Sequence, residues 1–141
     1  MDDYTISTDP NCLDTEFIVA SLQTTYWAGE RQRSVILQSW GRSLCFGVYS
    51  ASSGKQVGFA RVVTDGATFS WLCDVFVDPN HRRKGLGKRL VEAVLAHADV
   101  SGRPVYLGTK DAHGLYEKYG FQRWELMRRS ADPTGMPRSG A

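Results

Sequence analysis

The sequence predicts one α+β domain, and three observations support this prediction. Three strand-like segments joined by short turns occupy the middle of the chain. An amphipathic helix follows them, and a strand, a short helix and a last strand complete the order. This order combines an antiparallel meander with one crossover, so we expect a mixed, mostly antiparallel central sheet with flanking helices.

The length of the chain and its composition suit a single domain. The chain has 141 residues, of which 42% are hydrophobic, and this is enough for one domain with its own core. We assign residues 1–129 to this domain. Residues 130–141 are rich in proline, glycine and small polar side chains, so we expect a disordered C-terminal tail.

The predicted N-terminal elements are short. A strand is predicted at 4–7, and Asn11 with Asp14 three residues later resembles a helix start. Apolar residues at helical spacing then predict one helix that ends near Leu22 and a second helix at 30–40.

Turn residues separate three predicted antiparallel strands. The first is expected at 44–49 and the second, with alternating apolar side chains, at 56–64. Asp65-Gly66 is typical of a tight turn, so the third strand should run back over 68–77. Pro79 ends this strand, because proline lacks the backbone donor that strand pairing needs.

Helical spacing returns after the two glycines that follow the third strand. Leu86, Leu90 and Val94 recur at this spacing and predict a helix that reaches Ala98. The elements expected after it are a strand at 105–109, a helix at 112–119 that ends at Gly120, and a last strand at 121–127.

Charge and cysteine content argue against several classes of protein. The net charge of +2 is close to neutral, so we expect no nucleic-acid partner. Cys12, Cys45 and Cys73 lie far apart, which argues against a disulfide framework or a zinc site and suits a reducing compartment. No apolar run approaches the roughly 18 residues of a membrane span, and the acidic N-terminus lacks the apolar part of a secretion signal. We therefore expect a soluble, cytoplasmic protein with no membrane partner and no metal.

Five basic residues surround two glycines between the third strand and the helix. The glycines of Arg82-x-x-Gly85-x-Gly87 allow a sharp turn, and the helix that begins there leaves its first backbone N–H groups unpaired. Lys88 is followed by Arg89, so the motif is not a P-loop, and no third glycine completes a dinucleotide-binding motif. The turn is therefore interpreted as an anion site that suits a ligand with more than one phosphate. The alternative is a solvated helix face.

Two longer stretches extend this motif, Val75-Phe-Val-Asp-Pro-Asn-His-Arg-Arg-Lys-Gly-Leu-Gly87 and Ala112-His-Gly-Leu-Tyr-Glu-Lys-Tyr-Gly-Phe121. Together they resemble the GCN5-related N-acetyltransferase (GNAT) family, and the order of predicted elements matches that family over nearly the whole chain. The resemblance implies a GNAT fold with a V-shaped opening between the two middle strands. It also implies acetyl-coenzyme A (acetyl-CoA) as the cosubstrate, without a metal.

The resemblance further implies which residues bind acetyl-CoA. Backbone N–H groups of the turn would bind its pyrophosphate, and the strand before the turn would pair with its pantetheine arm. The implied cofactor-binding residues are Val75, Phe76, Val77, Arg82, Arg83, Lys84, Gly85, Leu86, Gly87 and Lys88. One departure from the family is Thr109, because many members have asparagine seven residues before the helix tyrosine.

Acetyl transfer to an amine sets the chemical demands on the site. A lysine-like amine is mostly protonated at neutral pH, since its pKa is about 10.4, so a base or a water path must take its proton. The resemblance implies Tyr116 as the proton donor to the coenzyme A thiolate, and the alternative is that Tyr116 only packs. It implies the backbone N–H of Val75 as the donor to the oxyanion.

Asp74 is the expected base, and this assignment has an alternative. A carboxylate in the apolar stretch 72–77 is costly unless it is hydrogen-bonded or functional, so Asp74 is either the proton acceptor or a hydrogen-bonded structural residue. Strict alternation would place it opposite Cys73 and Val75, whereas a bulge of the kind that the family carries would change its side. His113 is a second candidate to face the cleft. Cys73 as a covalent acetyl carrier is disfavoured, because it lacks a partner histidine.

The resemblance implies that the acceptor is bound largely by the segment between the first two helices and by loops around the central strands. Here that segment spans 24–31 and contains Tyr26, Trp27 and Arg31, and paired aromatic side chains suit a pocket wall. The alternative is that Tyr26 and Trp27 cap the core. An aromatic pocket with few carboxylates favours a small-molecule amine as the acceptor.

Three functions remain open at the level of sequence. The first is acetyl transfer to a primary amine of a small molecule, by direct attack in a ternary complex. The second is the same chemistry on a protein lysine or N-terminus, and the third is a non-catalytic module that binds coenzyme A or nucleic acid. The oligomeric state is also open, and a homodimer is one option.

Overall fold

A mixed sheet flanked by helices organises the chain. The structure is a computed structural model and describes residues 3–131. Its strands are β1 (Tyr4–Ser7), β2 (Leu44–Ser50), β3 (Gln56–Thr64), β4 (Ser70–Val77) and β5 (Val105–Tyr106). Its helices are α1 (Thr15–Leu22), α2 (Arg33–Trp40), α3 (Leu86–Ala96) and α4 (His113–Glu117), with 3-10 turns at Pro10–Cys12 and Pro79–His81.

The strand order confirms the predicted mixed, mostly antiparallel sheet. The order is β1-β2-β3-β4-β5, and neighbouring strands are antiparallel as far as β4. Strands β4 and β5 run parallel, and they pair only through Ser70 with Val105 and Trp71 with Tyr106. Beyond these two pairs the described parts of β4 and β5 no longer pair, which gives the V-shaped opening of the GNAT fold.

Helices cover both faces of the sheet, because each helix has an apolar stripe that must be buried. On one face, α3 buries Leu90 and Val94 against the strands. On the other face, α1 and α2 bury Ile18 and Ile36 around Phe59. Full burial of such a side chain contributes about 1.5–3 kcal/mol. The two layers therefore hold β3 and β4 firmly where β4 reaches the glycine turn.

Local hydrogen bonds explain where several elements begin. The predicted strand at 56–64 is confirmed residue for residue. The predicted strand at 68–77 begins only at Ser70, because the Asp65 carboxylate accepts hydrogen bonds from the backbone N–H groups of Ala67 and Thr68, both at 2.8 Å, and holds them in a turn.

Two strand predictions near the C-terminus need correction. The strand predicted at 105–109 forms only at Val105–Tyr106, and the strand predicted at 121–127 is wrong, since residues 121–130 carry neither helix nor strand. A strand needs a neighbour for its backbone N–H and C=O groups, and the short β5 does not pair with this segment. Most of the predicted tail, residues 132–141, lies outside the described residues. Within residues 3–131, no helix is long and apolar enough to cross a membrane.

Candidate active site

The turn between β4 and α3 has an unusual backbone. Arg83 and Gly85 both adopt left-handed conformations, with φ of 64° and 76°, and only glycine does so at little cost. Gly85 is the N-cap of α3, and no side chain caps the first turn of this helix. The first N–H groups of α3 are therefore left for another acceptor, and they carry the partial positive charge of the helix N-terminus.

Arg82 is held at the side of this turn. Its Nε donates a hydrogen bond to the carbonyl of Val77 at 2.9 Å, and its guanidinium carbon lies 5.6 Å from the centre of the Phe76 ring. This placement keeps a positive charge beside the end of β4.

Three other basic residues, two in the turn region and one in the first turns of α3, lie near β1. The Lys84 ammonium lies 6.0 Å from the centre of the Tyr4 ring, and Arg89 donates to the Tyr4 carbonyl at 3.0 Å. His81 shares a hydrogen bond of 2.9 Å with the Tyr4 hydroxyl. These contacts explain how the turn is fixed to the sheet, and they leave Lys84 outside the cleft wall.

A cleft of about 1030 Å³ opens along β4 and the turn. Nine of the ten residues expected to bind acetyl-CoA line it, and Lys84 is the exception. The opposite walls come from the segments that follow α1 and β5. The expected cofactor and acceptor regions therefore share one continuous space.

Tyr116 lines the inner wall of this cleft. It is buried in α4, and its ring packs edge-on against Phe121 at 5.6 Å between ring centres. Burial raises the pKa of Tyr116, and the nearby acidic groups of Asp111 and Tyr26 raise it further. The hydroxyl therefore keeps its proton at neutral pH and is able to donate it.

Strand β4 carries a bulge at Asp74. The pairing with β3 is regular up to Cys73 and resumes at Phe76, so Asp74 and Val75 together oppose the single residue Ala60. Asp74 has a left-handed φ of 55°, a region that aspartate tolerates better than most residues. The alternation of sides along β4 is therefore interrupted at this point.

The Asp74 carboxylate is fully buried and has three hydrogen-bond donors. Oδ1 accepts from Trp27 Nε1 at 3.0 Å, and Oδ2 accepts from Arg31 Nη1 at 2.9 Å and from Arg61 Nε at 2.8 Å. This arrangement favours the hydrogen-bonded structural role that the sequence left open beside the role of base.

The acceptor segment divides its side chains between the cleft and Asp74. Tyr26 and Trp27 line the cleft, with their rings edge-on at 5.0 Å between centres. Across the opening, the Lys110 ammonium lies 5.1 Å from the centre of the Tyr26 ring. Arg31 lies behind the wall, where it binds Asp74.

Several lining residues are missing from the sequence prediction. They are Trp71 on β4 and the segment after β5 that includes Leu107, Lys110 and Asp111. A signal for the second group exists, because parallel strands end at the same edge of a sheet and the loops that follow them meet there. The predicted crossover could therefore have included 107–111 in the site.

Two other candidates do not fit a catalytic role, one because of its position and the other because of its raised pKa. His113 lines a second cavity of about 720 Å³, formed with β5 and the segment after α4, and does not line the cleft. Cys73 lines the cleft, but burial raises the pKa of its thiol to about 11. No group of three or more metal-ligating side chains (histidine, cysteine, aspartate or glutamate) occurs within the described range 3–131.

Comparison with known proteins agrees with this geometry. A family model for the GNAT acetyltransferase domain matches residues 41–123. A candidate acetyltransferase from Gibberella zeae is 32% identical over 138 residues, which cover 82% of this chain and 77% of that protein. The ribosomal protein bS18 alanine N-acetyltransferase of Escherichia coli is 35% identical over 89 residues, which cover 58% of this chain and 57% of that enzyme.

A crystal structure is similar over nearly the full chain. It is that of a candidate GNAT acetyltransferase from Xanthomonas campestris pv. campestris, with 42% identity, a TM-score of 0.85, and coverage of 94% of this chain and 96% of that one. The uncapped helix N-terminus, the split between β4 and β5 and these similarities agree. This chain is a member of the GNAT family of acetyltransferases.

Proposed function

We propose that this acetyltransferase transfers the acetyl group of acetyl-CoA to a primary amine of a small molecule, by direct attack in a ternary complex. One observation carries the proposal. The unsatisfied N-terminus of α3, the Tyr116 hydroxyl group and the aromatic side chains of the acceptor segment all border one cleft. A cleft shared in this way allows both substrates to be bound at the same time, which direct attack requires.

The turn fits the phosphates of acetyl-CoA, which members of this family generally use. An added Cβ at Gly85 would meet no protein atom within 4 Å, so the space beside the turn is open to a ligand. The uncapped N–H groups of α3 supply donors, and Arg82, Arg83 and Lys88 at the cleft wall supply charge. Beyond Trp71, the edge of β4 that faces β5 is unpaired in the described chain. The amide groups of the pantetheine arm could form hydrogen bonds with this edge, as an added strand does.

The residues near the reacting atoms have distinct roles in this proposal. Tyr116 donates a proton to the sulfur of coenzyme A as the carbon–sulfur bond breaks. The backbone N–H of Val75 donates to the oxygen that gains negative charge in the tetrahedral intermediate. The proton of the attacking amine leaves through solvent at the cleft mouth, where Asp111 supplies an exposed carboxylate.

The nature of the acceptor wall supports a small molecule. Tyr26, Trp27 and Trp71 offer aromatic faces, and the buried carboxylate of Asp74 is occupied by two arginines. Such a wall suits one amine attached to an apolar body better than a polycation. The protein acceptor remains the second candidate, because the Escherichia coli relative is named for acetylation of an alanine of ribosomal protein bS18. Membership in an acetyltransferase family speaks against the non-catalytic module.

An amine panel tests this proposal. Wild-type protein is incubated with acetyl-CoA and single amines, and the free thiol released is measured against samples without amine. Mass spectrometry of products from a metabolite pool and a peptide pool follows in parallel. Acetylated metabolites without acetylated peptides support the proposal. Acetylated peptides alone would establish the protein acceptor, and no thiol release with any amine would refute acetyl transfer to these acceptors.

We also propose that two chains associate through the segment 121–127. Trp124, Leu126 and Met127 in this segment are 74%, 57% and 95% exposed, which is unusual for apolar side chains so close together. The segment has a strand-like sequence but no strand partner in the described chain, and β5 beside it is the edge of the sheet. A second copy would supply a partner for both.

A further inference from the structure

We infer that Asp74 is a positioning residue, which holds the acceptor segment against the bulge of β4 and does not accept the proton of the amine. The inference rests on the proposed acetyl transfer. It assigns to one buried carboxylate the task of joining the acceptor wall to the strand that guides the cofactor.

The contacts of Asp74 join three separate parts of the chain. Trp27 and Arg31 belong to the segment between α1 and α2, and Arg61 belongs to β3. Arg61 also donates from Nη1 to the hydroxyl of Ser43 at 3.1 Å, just before β2. Removal of the carboxylate would therefore release the acceptor segment from the sheet at two points at once.

The charges around Asp74 argue against a role in proton transfer. Its side chain is 0% exposed, and the side chains of Arg31 and Arg61 are 19% and 13% exposed. A proton on this carboxylate would leave two largely buried guanidinium groups without their anion. It would also place an O–H group among three donors that need an acceptor. The carboxylate is therefore suited to remain an acceptor throughout turnover.

The position of Asp74 in the bulge connects its side-chain contacts with the reacting part of the cleft. The adjacent residue, Val75, supplies the proposed oxyanion donor, and Trp27, bound to Asp74, lines the acceptor side of the cleft. The left-handed φ of Asp74 is an unfavourable conformation that its three side-chain contacts help to hold. The same residue thus fixes the direction of the Val75 backbone and the place of the Trp27 ring.

Steady-state kinetics of two variants test the inference. In Asp74→Asn, one side-chain oxygen can still accept from Trp27, but the amide N–H₂ group would face two guanidinium donors, so the hold on Arg31 is lost. We expect the acceptor KM to rise about tenfold or more, and kcat to fall less, because the affected wall binds the acceptor. Trp27→Phe keeps most of the ring area and removes only the Nε1 donor, so we expect a rise of about threefold to tenfold in the same KM.

A control variant breaks a different arginine–carboxylate contact in the same region. Arg33 lies at the start of α2 and pairs with Glu16 in an exposed salt bridge of 2.7 Å, outside the cleft wall. Arg33→Gln should therefore leave both kcat and the acceptor KM within about twofold of wild type. Acetyl-CoA affinity, measured by calorimetry, should remain within about twofold in all three variants.

The pH profile and added bases separate positioning from proton transfer. If Asp74 only positions the acceptor, the shape of kcat/KM against pH is the same in wild type and Asp74→Asn, and formate does not restore activity. A lost acidic limb, or rescue by formate, would show that Asp74 accepts the proton and would overturn the inference.

A spectroscopic measurement does not depend on activity. The chain contains four tryptophans, and Trp27→Phe identifies the indole N–H signal of Trp27 in a ¹H–¹⁵N spectrum. In Asp74→Ala, which leaves Trp27 Nε1 without its acceptor, we expect this signal to shift and to lose protection from exchange, while the other indole signals stay in place. If the other indole signals show that the variant is folded and the Trp27 signal has not moved, the inference is overturned, even when the variant is less active. Absence of thiol release by wild type with any amine would instead refute the proposed function and leave this spectroscopic result to stand alone.

Discussion

We expect the substitution Gly87→Ala to stabilise the free protein and to weaken its binding of acetyl-CoA. Gly87 is the second residue of α3 and lines the cleft. A Cβ added there would meet Leu115 Cδ2 at 3.9 Å, an ordinary van der Waals contact, and no other protein atom within 4 Å. The free protein therefore has room for the methyl group, and any loss of binding must come from the ligand's side of the cleft.

The two effects have opposite signs and different sizes. Alanine is favoured over glycine in a helix by roughly 0.5–1 kcal/mol, which for a chain of this size corresponds to a rise in Tm of about 2–4 °C. Loss of one hydrogen bond to a phosphate removes about 1.5–3 kcal/mol, which corresponds to roughly 10- to 100-fold weaker binding.

Calorimetry with acetyl-CoA and thermal unfolding without ligand measure these effects. Gly114→Ala is the matched control, because Gly114 lies within α4, has no neighbour within 4 Å of an added Cβ, and is not among the residues of the cleft wall. It should raise Tm similarly and leave the Kd unchanged. An unchanged Kd in Gly87→Ala would refute the close approach of phosphate to this backbone, and a lower Tm would refute the free space beside it.

Further predictions concern the proposed proton donor Tyr116, the reactivity of two cysteines and the proposed dimer. Tyr116→Phe should lower kcat at every pH and spare the Kd of acetyl-CoA, whereas Tyr119→Phe should change neither; an unaltered kcat would mean that another group protonates the thiolate. Because burial raises the pKa of Tyr116 above that of a free tyrosine, wild-type kcat should show no loss from its ionisation in the neutral range, and any such loss should occur only in strongly basic solution. Iodoacetamide at pH 7.5 should modify the exposed Cys12 and spare Cys73, whose thiol has a pKa of about 11; peptide mass spectrometry detects either result. Sedimentation equilibrium should give two chains per particle for wild type and one for Trp124→Glu, and a monomeric wild type would contradict the proposed dimer.

Local sequence patterns predicted the features that local interactions determine. The strand at 56–64 follows from alternation between two turns, and the turn at Gly85 follows from glycine's access to positive φ. Both depend on residues that are neighbours in the chain.

The partners of Asp74 could not be predicted in the same way. Trp27, Arg31 and Arg61 are 47, 43 and 13 residues away from Asp74 in sequence, and no local pattern relates residues at such separations. The sequence indicated only that a carboxylate in an apolar strand is costly to bury unless it is hydrogen-bonded or functional. Whether its role is catalysis or anchoring depends on which side chains the fold brings to it.

The prediction of a strand at 121–127 failed for a related reason. The aromatic and apolar side chains of this segment are compatible with a strand, but such a preference describes only one member of a pair, and the partner must come from elsewhere. In the described chain β5 pairs over two residues and leaves this segment without a neighbour. The residue types at 121–127 are therefore compatible with a strand, but the predicted strand is wrong because the segment has no partner strand in the described chain.

The early end of pairing between β4 and β5 has a consequence for handling the protein. From Leu72 onward, β4 presents unpaired backbone groups on its β5 side in the described chain, and an open strand edge of this kind invites pairing between molecules. In the proposed function, the pantetheine arm of acetyl-CoA binds along this edge. Bound acetyl-CoA would therefore block pairing of the edge with another molecule. Protein purified without the cosubstrate should then aggregate sooner on storage than protein kept saturated with it, as light scattering over time would measure.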